Sequence, residues 1–416
     1  MASVPCPFAI YGCSAKQLRV TELEQHLTAE APEHLNLVCI ELVKRKDFAR
    51  TQHQKQEQEW QRELNLFKSV AHAREAELTS EMALLQQKIA AQDLTVQRLM
   101  QGSVVVVDGA GCGLFTTIGA ALACCQSGDT VVVRPGEYTE ALVLPSADLT
   151  IRGSGPERTV VRLGAEAALV RVDTVAAITG LRLVQEHSEF PCVSVSGAGA
   201  DLRLEDCDIS ALGGPCVEVA AESRVLVHGS KVHGSNDSGI VFHSGSAGSV
   251  ERSWVSGCGV NNIHLRPGAD VALRHNKVFD SLGCGIRAEQ VDSQILHNDV
   301  YHNVIHNVAV VSGSPHIAHN TIHHSPGVGI DIMEGSRCTV SDNDVGHNDE
   351  CNVVLGPGTE ASIVKNTIHH SRRHGVLVKA KACGEVVNNH IHDNIGQAVK
   401  TDTGTATVKV QGNKLR

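Results

Sequence analysis

The sequence predicts a mainly β chain built on a right-handed parallel β-helix of about a dozen coils, preceded by a small zinc finger and a coiled-coil helix. Three observations carry this expectation. An asparagine-centred unit recurs every 22 to 24 residues through the C-terminal half. Before it lies a long stretch with heptad spacing and neither Gly nor Pro. At the N-terminus two Cys and two His follow one another in the order of a metal-ligand set.

The repeat reads apolar-x-x-Asn-x-apolar, a polar turn, then Gly or Asn followed by apolar-x-apolar. Its anchors are Asn276, Asn298, Asn320, Asn343, Asn366, Asn389 and Asn413, with Cys207, Ser230 and Ser253 in the same place in earlier copies. From Cys207 onward the spacings are 23, 23, 23, 22, 22, 23, 23, 23 and 24. In the copy at Asn320, the apolar positions are Ile317, Ile322, Ile330 and Ile332, and the last two flank Asp331 in strand-like alternation. The runs are too short and too often broken by Gly to be helices. One copy cannot bury its own apolar face, so copies must stack. Stacked Asn amides hydrogen-bond to the coils above and below, so these residues are read as turn supports without chemistry.

Degenerate copies lie upstream, at Ile178-Thr-Gly-Leu181-Arg-Leu183 with Cys192 to Val195, and at Asp148 to Ile151. The segment Gly128-Asp129-Thr130-Val131-Val132-Val133-Arg134-Pro135-Gly136-Glu137-Tyr138 resembles the opening of pectin-lyase-like β-helices. That resemblance implies a helix, here about Thr116 to Cys125, capping the open end of the stack. A cap protects coil edges that would otherwise pair with other chains. A dozen coils rising about 4.8 Å each make a rod about 55–60 Å long.

Composition agrees. Aromatic residues are 3% of the chain and Gly numbers 38, as suits a narrow interior of Val, Ile and Leu. Net charge is −10 and no Lys/Arg-rich block exists, which argues against nucleic-acid binding. No run of 18 apolar residues occurs, so no membrane span is expected. The N-terminus lacks the charged-then-apolar order of a secretory signal. The 14 cysteines are scattered beyond the first three, several at inward positions such as Cys192, Cys207 and Cys216. A reduced, cytoplasmic chain without a disulfide framework is the expectation.

Three domains follow: residues 1–39, 40–101 and 102–416. In the first, Cys6-Pro-Phe-Ala-Ile-Tyr-Gly-Cys13 is followed by His26-Leu27 and His34-Leu35, with helical spacing from Val20 to Leu27. Two thiolates and two imidazoles complete a tetrahedral zinc site, and zinc would supply folding energy to a segment too small for a core. The segment resembles a TRAF-type zinc finger in its Cys-Pro-Phe start, Gly-Cys pair and His-Leu endings. By that resemblance Cys6, Cys13, His26 and His34 are the ligands, with Cys39 a substitute for His34. In the second domain Leu78, Met82, Leu85, Ile89, Gln92, Val96 and Leu99 alternate spacings of four and three, and Trp60, Leu64, Phe67 and Ala71 extend the seam. So narrow a stripe needs another helix, so a homo-dimer or homo-trimer is expected, with packing against the β-helix as the alternative.

β-helices resembling this one often degrade polysaccharide, and register places the outward residues. Between the inward apolar pairs stand Ser194, Glu218, Val241, His264, Arg287, Ala309, Asp331, Val354, Leu377 and Lys400. One step beyond lie His243, Arg266, Glu289, Val311, Met333 and Lys379. His264, Arg266, Arg287, Glu289 and Asp331 form a polar cluster suited to an anionic ligand, a peptide or a sugar acid. Asp331 has Ala309 and Val354 beside it, so no adjacent carboxylate pair suggests a glycosidase. An ordinary solvated face is the plainer expectation. His302, His324, His347 and His370 share one turn position, and His275, His297 and His319 another. They are read as inherited turn residues, with metal binding or pH sensing as alternatives.

The repeats also resemble those of β-helix F-box proteins and of spindle-associated adaptors, which implies protein binding. No F-box is recognisable. The function expected is therefore an oligomeric adaptor or scaffold in ubiquitin-linked or cytoskeletal assemblies. The alternatives are a carbohydrate-active lyase, hydrolase or epimerase, and a purely structural rod.

Overall fold

The computed structural model describes residues 3–14, 17–41, 44, 65, 68–69, 74, 78–80, 82, 104–113, 115–144, 148–164, 167–187, 189–402, 404 and 406–415. The chain divides into two compact units, Met1–Leu94 and Thr95–Arg416.

In the first unit, strands Ser3–Val4 and Leu18–Arg19 pair antiparallel. A 3₁₀ turn, Ala9–Tyr11, ends at Gly12, whose φ of 105° is open only to a residue without a β-carbon. Helix Val20–Ala29 begins where the Glu22 carboxylate accepts from the Arg19 backbone N–H at 3.2 Å. It runs two residues past the segment that the spacing marked, and a second helical stretch covers 31–41. Most of the heptad seam, including Leu85, Ile89, Gln92, Val96 and Leu99, lies outside the described residues. Leu78 and Met82, which are described, are helical and exposed.

The second unit is a parallel β-helix. Three sheets of 14, 13 and 12 strands run along it, each strand pairing in parallel with its counterpart one coil on. The first sheet runs from Val104–Val107 to Thr407–Gln411, the second from Gly136–Thr139 to Lys414–Leu415, and the third from Leu142–Val143 to Val399–Thr401. Inward Val, Ile and Leu form one continuous core, from Val107 and Ile118 to Val386 and Ile391. The inward cysteines behave as small apolar residues, and burial pushes the thiols of Cys207, Cys258 and Cys338 up to about 12. The cap helix is shorter than its sequence suggests, Ile118–Leu122. Thr117 caps it at Ala120, and the Glu140 carboxylate accepts from Ile118 and Gly119 at 2.8 and 2.6 Å.

The ladder asparagines from Asn276 to Asn389 are buried and hydrogen-bonded from coil to coil. Asn298 Nδ2 donates to Leu273 O at 2.9 Å and to Asn320 Oδ1 at 3.0 Å, while its backbone N–H donates to the same Asn320 oxygen at 2.8 Å. The pattern repeats to Asn413. A second ladder was not foreseen. Asn262, Asn303, Asn307, Asn348, Asn352 and Asn394 form a zigzag of amide bonds 2.8 to 3.2 Å long. It has a two-coil period. In alternate coils Gly285 and Gly329 replace the asparagine, and a β-carbon there would lie 2.5 and 2.7 Å from the amides of Asn303 and Asn348.

Candidate active site and metal centre

The first unit gathers Cys6, Cys13, His26 and His34, whose ligand atoms all lie within 4.8 Å of one another. Cys6 Sγ is 3.7 Å from His34 Nε2, and Cys13 Sγ is 3.4 Å from His26 Nε2 and 3.3 Å from His34 Nε2. The S···N edges of a tetrahedral site with Zn-type bond lengths are about 3.6 Å. The four side chains fit a metal ion, and three of them are buried. Cys39 is exposed, and His34, not its substitute, joins the set.

On the second unit the outward column of the third sheet has the register read from the sequence. Ser194 pairs with Glu218, Glu218 with Val241, Val241 with His264, and His264 with Arg287. Arg287 pairs with Ala309, Ala309 with Asp331, and Asp331 with Val354. Strands Cys284–Val291 and His306–Gly313 are longer than their neighbours and broaden the sheet here.

Arg287 Nε donates to Glu289 Oε1 at 2.6 Å, and His264 Nε2 lies 3.4 Å from the same oxygen. Burial acts to raise the Glu289 carboxyl, but Arg287 and His264 beside it prevail and hold it below the usual carboxylate range. His264 is pushed down by burial and by Arg266 and Arg287, against the pull of Glu289. Its Nε2 is buried without a well-aligned hydrogen bond. Arg266, two residues after His264, lies 3.3 Å from His243 Nδ1, and His243 Nε2 contacts Glu218 at 2.9 Å.

Toward the C-terminal side, His306 Nε2 lies 3.5 Å from Asp331 Oδ2. Burial raises the Asp331 carboxyl despite His306 and Lys379 nearby. Burial, with Arg287 and Lys379, lowers His306 against the pull of Asp331. His264 stands one coil before Arg287 in the same column, and His306 stands one coil after it, three residues to the side in the column of Cys284. A depression of about 370 Å³, lined in part by Glu218, Asp237, His264 and Arg266, continues the site toward the N-terminal coils.

All five residues picked out by sequence therefore lie on this face, but not as an ordinary solvated surface. The His264 and Asp331 side chains are each only 15% exposed. Sequence reasoning missed His306 and Cys284. They stand three residues before Ala309 and Arg287, a column that Asn261 begins, and the alternation around each inward pair does not reach them.

The turn histidines His302, His324, His347 and His370, and likewise His275, His297 and His319, all have φ between 52° and 58°. Left-handed backbone is open to Gly, Asn, Asp and His more than to other residues, which accounts for their recurrence. Their rings stack, for example His275 on His297 and His297 on His319 at 4.9 Å.

Several solved structures share the fold of the second unit. The A-module of mannuronan C-5 epimerase AlgE6 from Azotobacter vinelandii aligns with a TM-score of 0.62 at 16% identity, covering 72% of this chain and 93% of that one. The corresponding AlgE4 module from the same organism gives 0.52 at 13%, with the same coverage of both chains. The periplasmic alginate epimerase AlgG gives 0.50 at 12%, covering 69% and 77%. The expectation of a protein-binding adaptor is corrected on this ground. These three structures bear the names of carbohydrate epimerases, and the face expected to be solvated, or to take an anionic ligand, a peptide or a sugar acid, is a half-buried set of His, Arg and carboxylates. The family model described as "Right handed beta helix region" matches residues 191–345 and 306–415. Those matches together span more than half of the sequence, and the chain belongs to the right-handed β-helix family.

Proposed function

We propose that the third sheet around Arg287 is the active site of a carbohydrate-active enzyme that moves a proton on an acidic polysaccharide. The observation that carries this reading is two half-buried imidazoles, His264 and His306, in the coils before and after the Arg287 guanidinium. A proton on the carbon next to a uronate carboxylate becomes acidic when that carboxylate is neutralised. Arg287 gives its Nε–H to Glu289, and the fork of its terminal nitrogens, with Lys379 nearby, suits the substrate carboxylate. His264, whose Nε2 faces Glu289 and whose pKa burial lowers, is the base on one side. His306, paired with Asp331, delivers a proton on the other. Inversion at that carbon is epimerisation. Loss of the neighbouring oxygen after the same abstraction is elimination. The likeness to mannuronan and alginate epimerases supports this chemistry over hydrolysis. So does Glu289, which Arg287 holds ionised and engaged, leaving no free carboxyl pair.

The test is incubation with polymannuronate, read by NMR of the sugar carbons. The wild type is expected to invert or eliminate, and Arg287→Ala to lower kcat/KM by about 100-fold or more. Equal rates for the two proteins would overturn the assignment. For the first unit, we propose zinc as the ion held by Cys6, Cys13, His26 and His34, in a closed structural site like that of TRAF-type fingers. The helix carrying Leu78 and Met82 is proposed to self-associate along its apolar seam.

A further inference from the structure

We infer that the paired histidines at the C-terminal end of the second sheet form a second metal site, centred on His370 and suited to a divalent transition-metal ion. His347, His369 and His370 bring their ring nitrogens within 4.8 Å of one another, and His370, His392 and Asp393 form an overlapping set. These atoms need only small side-chain rotations to reach the edges of about 3.4 Å that a tetrahedral ion imposes.

Three further features point to a ligand. His369 Nε2 contacts Asp344 Oδ1 at 2.8 Å, so its proton is committed there and its Nδ1 lone pair is aimed at His370 Nδ1, also 2.8 Å away. A carboxylate on the far nitrogen is how metal-binding imidazoles are oriented. Second, Gly346 makes the space. A β-carbon at Gly346 would meet the His369 ring. One arrangement of the same kind lies two coils earlier, where His323 Nε2 contacts Asp299 at 3.0 Å and His323 Nδ1 faces His324 Nδ1 at 2.6 Å. There Tyr301 occupies the place of Gly346 and packs on His302 at 5.2 Å, and His302 stays 5.6 Å from His324. In the later copy His347 closes to 4.7 Å from His370. Third, His347 and His370 are exposed, so an ion can enter and keep a water in its open position. A set of imidazoles with one carboxylate favours Zn²⁺, Ni²⁺ or Cu²⁺ over Mg²⁺ or Ca²⁺.

The test is equilibrium dialysis of the full chain against Ni²⁺ with elemental analysis. His370→Asn removes the ligand and keeps a residue that tolerates the φ of 52°. The wild type is expected to bind one more ion than His370→Asn, and Gly346→Ala to bind it at least tenfold more weakly, with unchanged far-UV circular dichroism. Cys13→Ser, which disables the N-terminal cluster, is expected to keep the ion. Equal stoichiometry and affinity in wild type and His370→Asn would overturn the inference, as would loss of the same ion in Cys13→Ser.

Discussion

At the scale of single residues, burial sets the protonation of this molecule more than charge does. His264, His306, His324 and His347 all titrate below the usual imidazole range, and burial is the leading cause at each. For such a group the folded chain binds fewer protons than the unfolded chain. Its stabilising contribution is present above the unfolded value of about 6.5 and is lost as pH falls below it toward the folded value. Asp331 acts oppositely, because its raised folded pKa weakens the fold as pH climbs above 3.8, in a more acidic window. The expected outcome is a lower Tm at pH 5 than at pH 8, measured by calorimetry. Identical values would contradict it. The lowered pKa of His264 also bears on the proposed catalysis. His264→Gln is expected to lower kcat about 100-fold or more while KM changes less. A pure KM effect would demote His264 to a binding residue.

At the scale of elements, the coil is held by amides as much as by its core. Asn320→Ala removes the acceptor for Asn298 N and Nδ2 and leaves buried donors unpaired. A loss of about 2–5 kcal/mol in chemical denaturation is expected. Gly329→Ala would place a β-carbon 2.6 Å from Asn352 O, with an expected cost of about 1–3 kcal/mol. A stability change below about 0.5 kcal/mol in both would contradict the ladder account. The first ladder was legible because one Asn per coil repeats at fixed spacing. The second was not, because it alternates Asn with Gly over two coils and changes position between turn and strand. The outward column from Ser194 to Val354 was legible because alternation fixes register once an inward pair is known. His306 and Cys284 were not, because they belong to strand extensions that no short-range pattern marks. Nor could sequence show that His264 and Asp331 are shielded, which depends on neighbours one coil away.

At the scale of the whole molecule, two units with different stabilising devices share one chain. The first has a small core and four converging metal ligands, whereas the second has a continuous apolar interior. Chelation or Cys13→Ser is therefore expected to remove about one zinc per chain and unfold the first unit, while the β-helix keeps its melting transition. Zinc content unchanged by Cys13→Ser would contradict the ligand assignment. The adaptor reading failed at this scale too. Repeat resemblance favoured binding, and the face expected to be solvated instead gathers half-buried His264, Arg287 and His306, on which the proposed chemistry rests. The most direct measurement of the central claim is polymannuronate incubated with the protein in ²H₂O, followed by NMR at the carbon bearing the carboxylate. The account predicts deuterium entering that position with wild type and falling at least about 100-fold with the double change His264→Gln, His306→Gln. No exchange with wild type, or equal exchange in both, would contradict it.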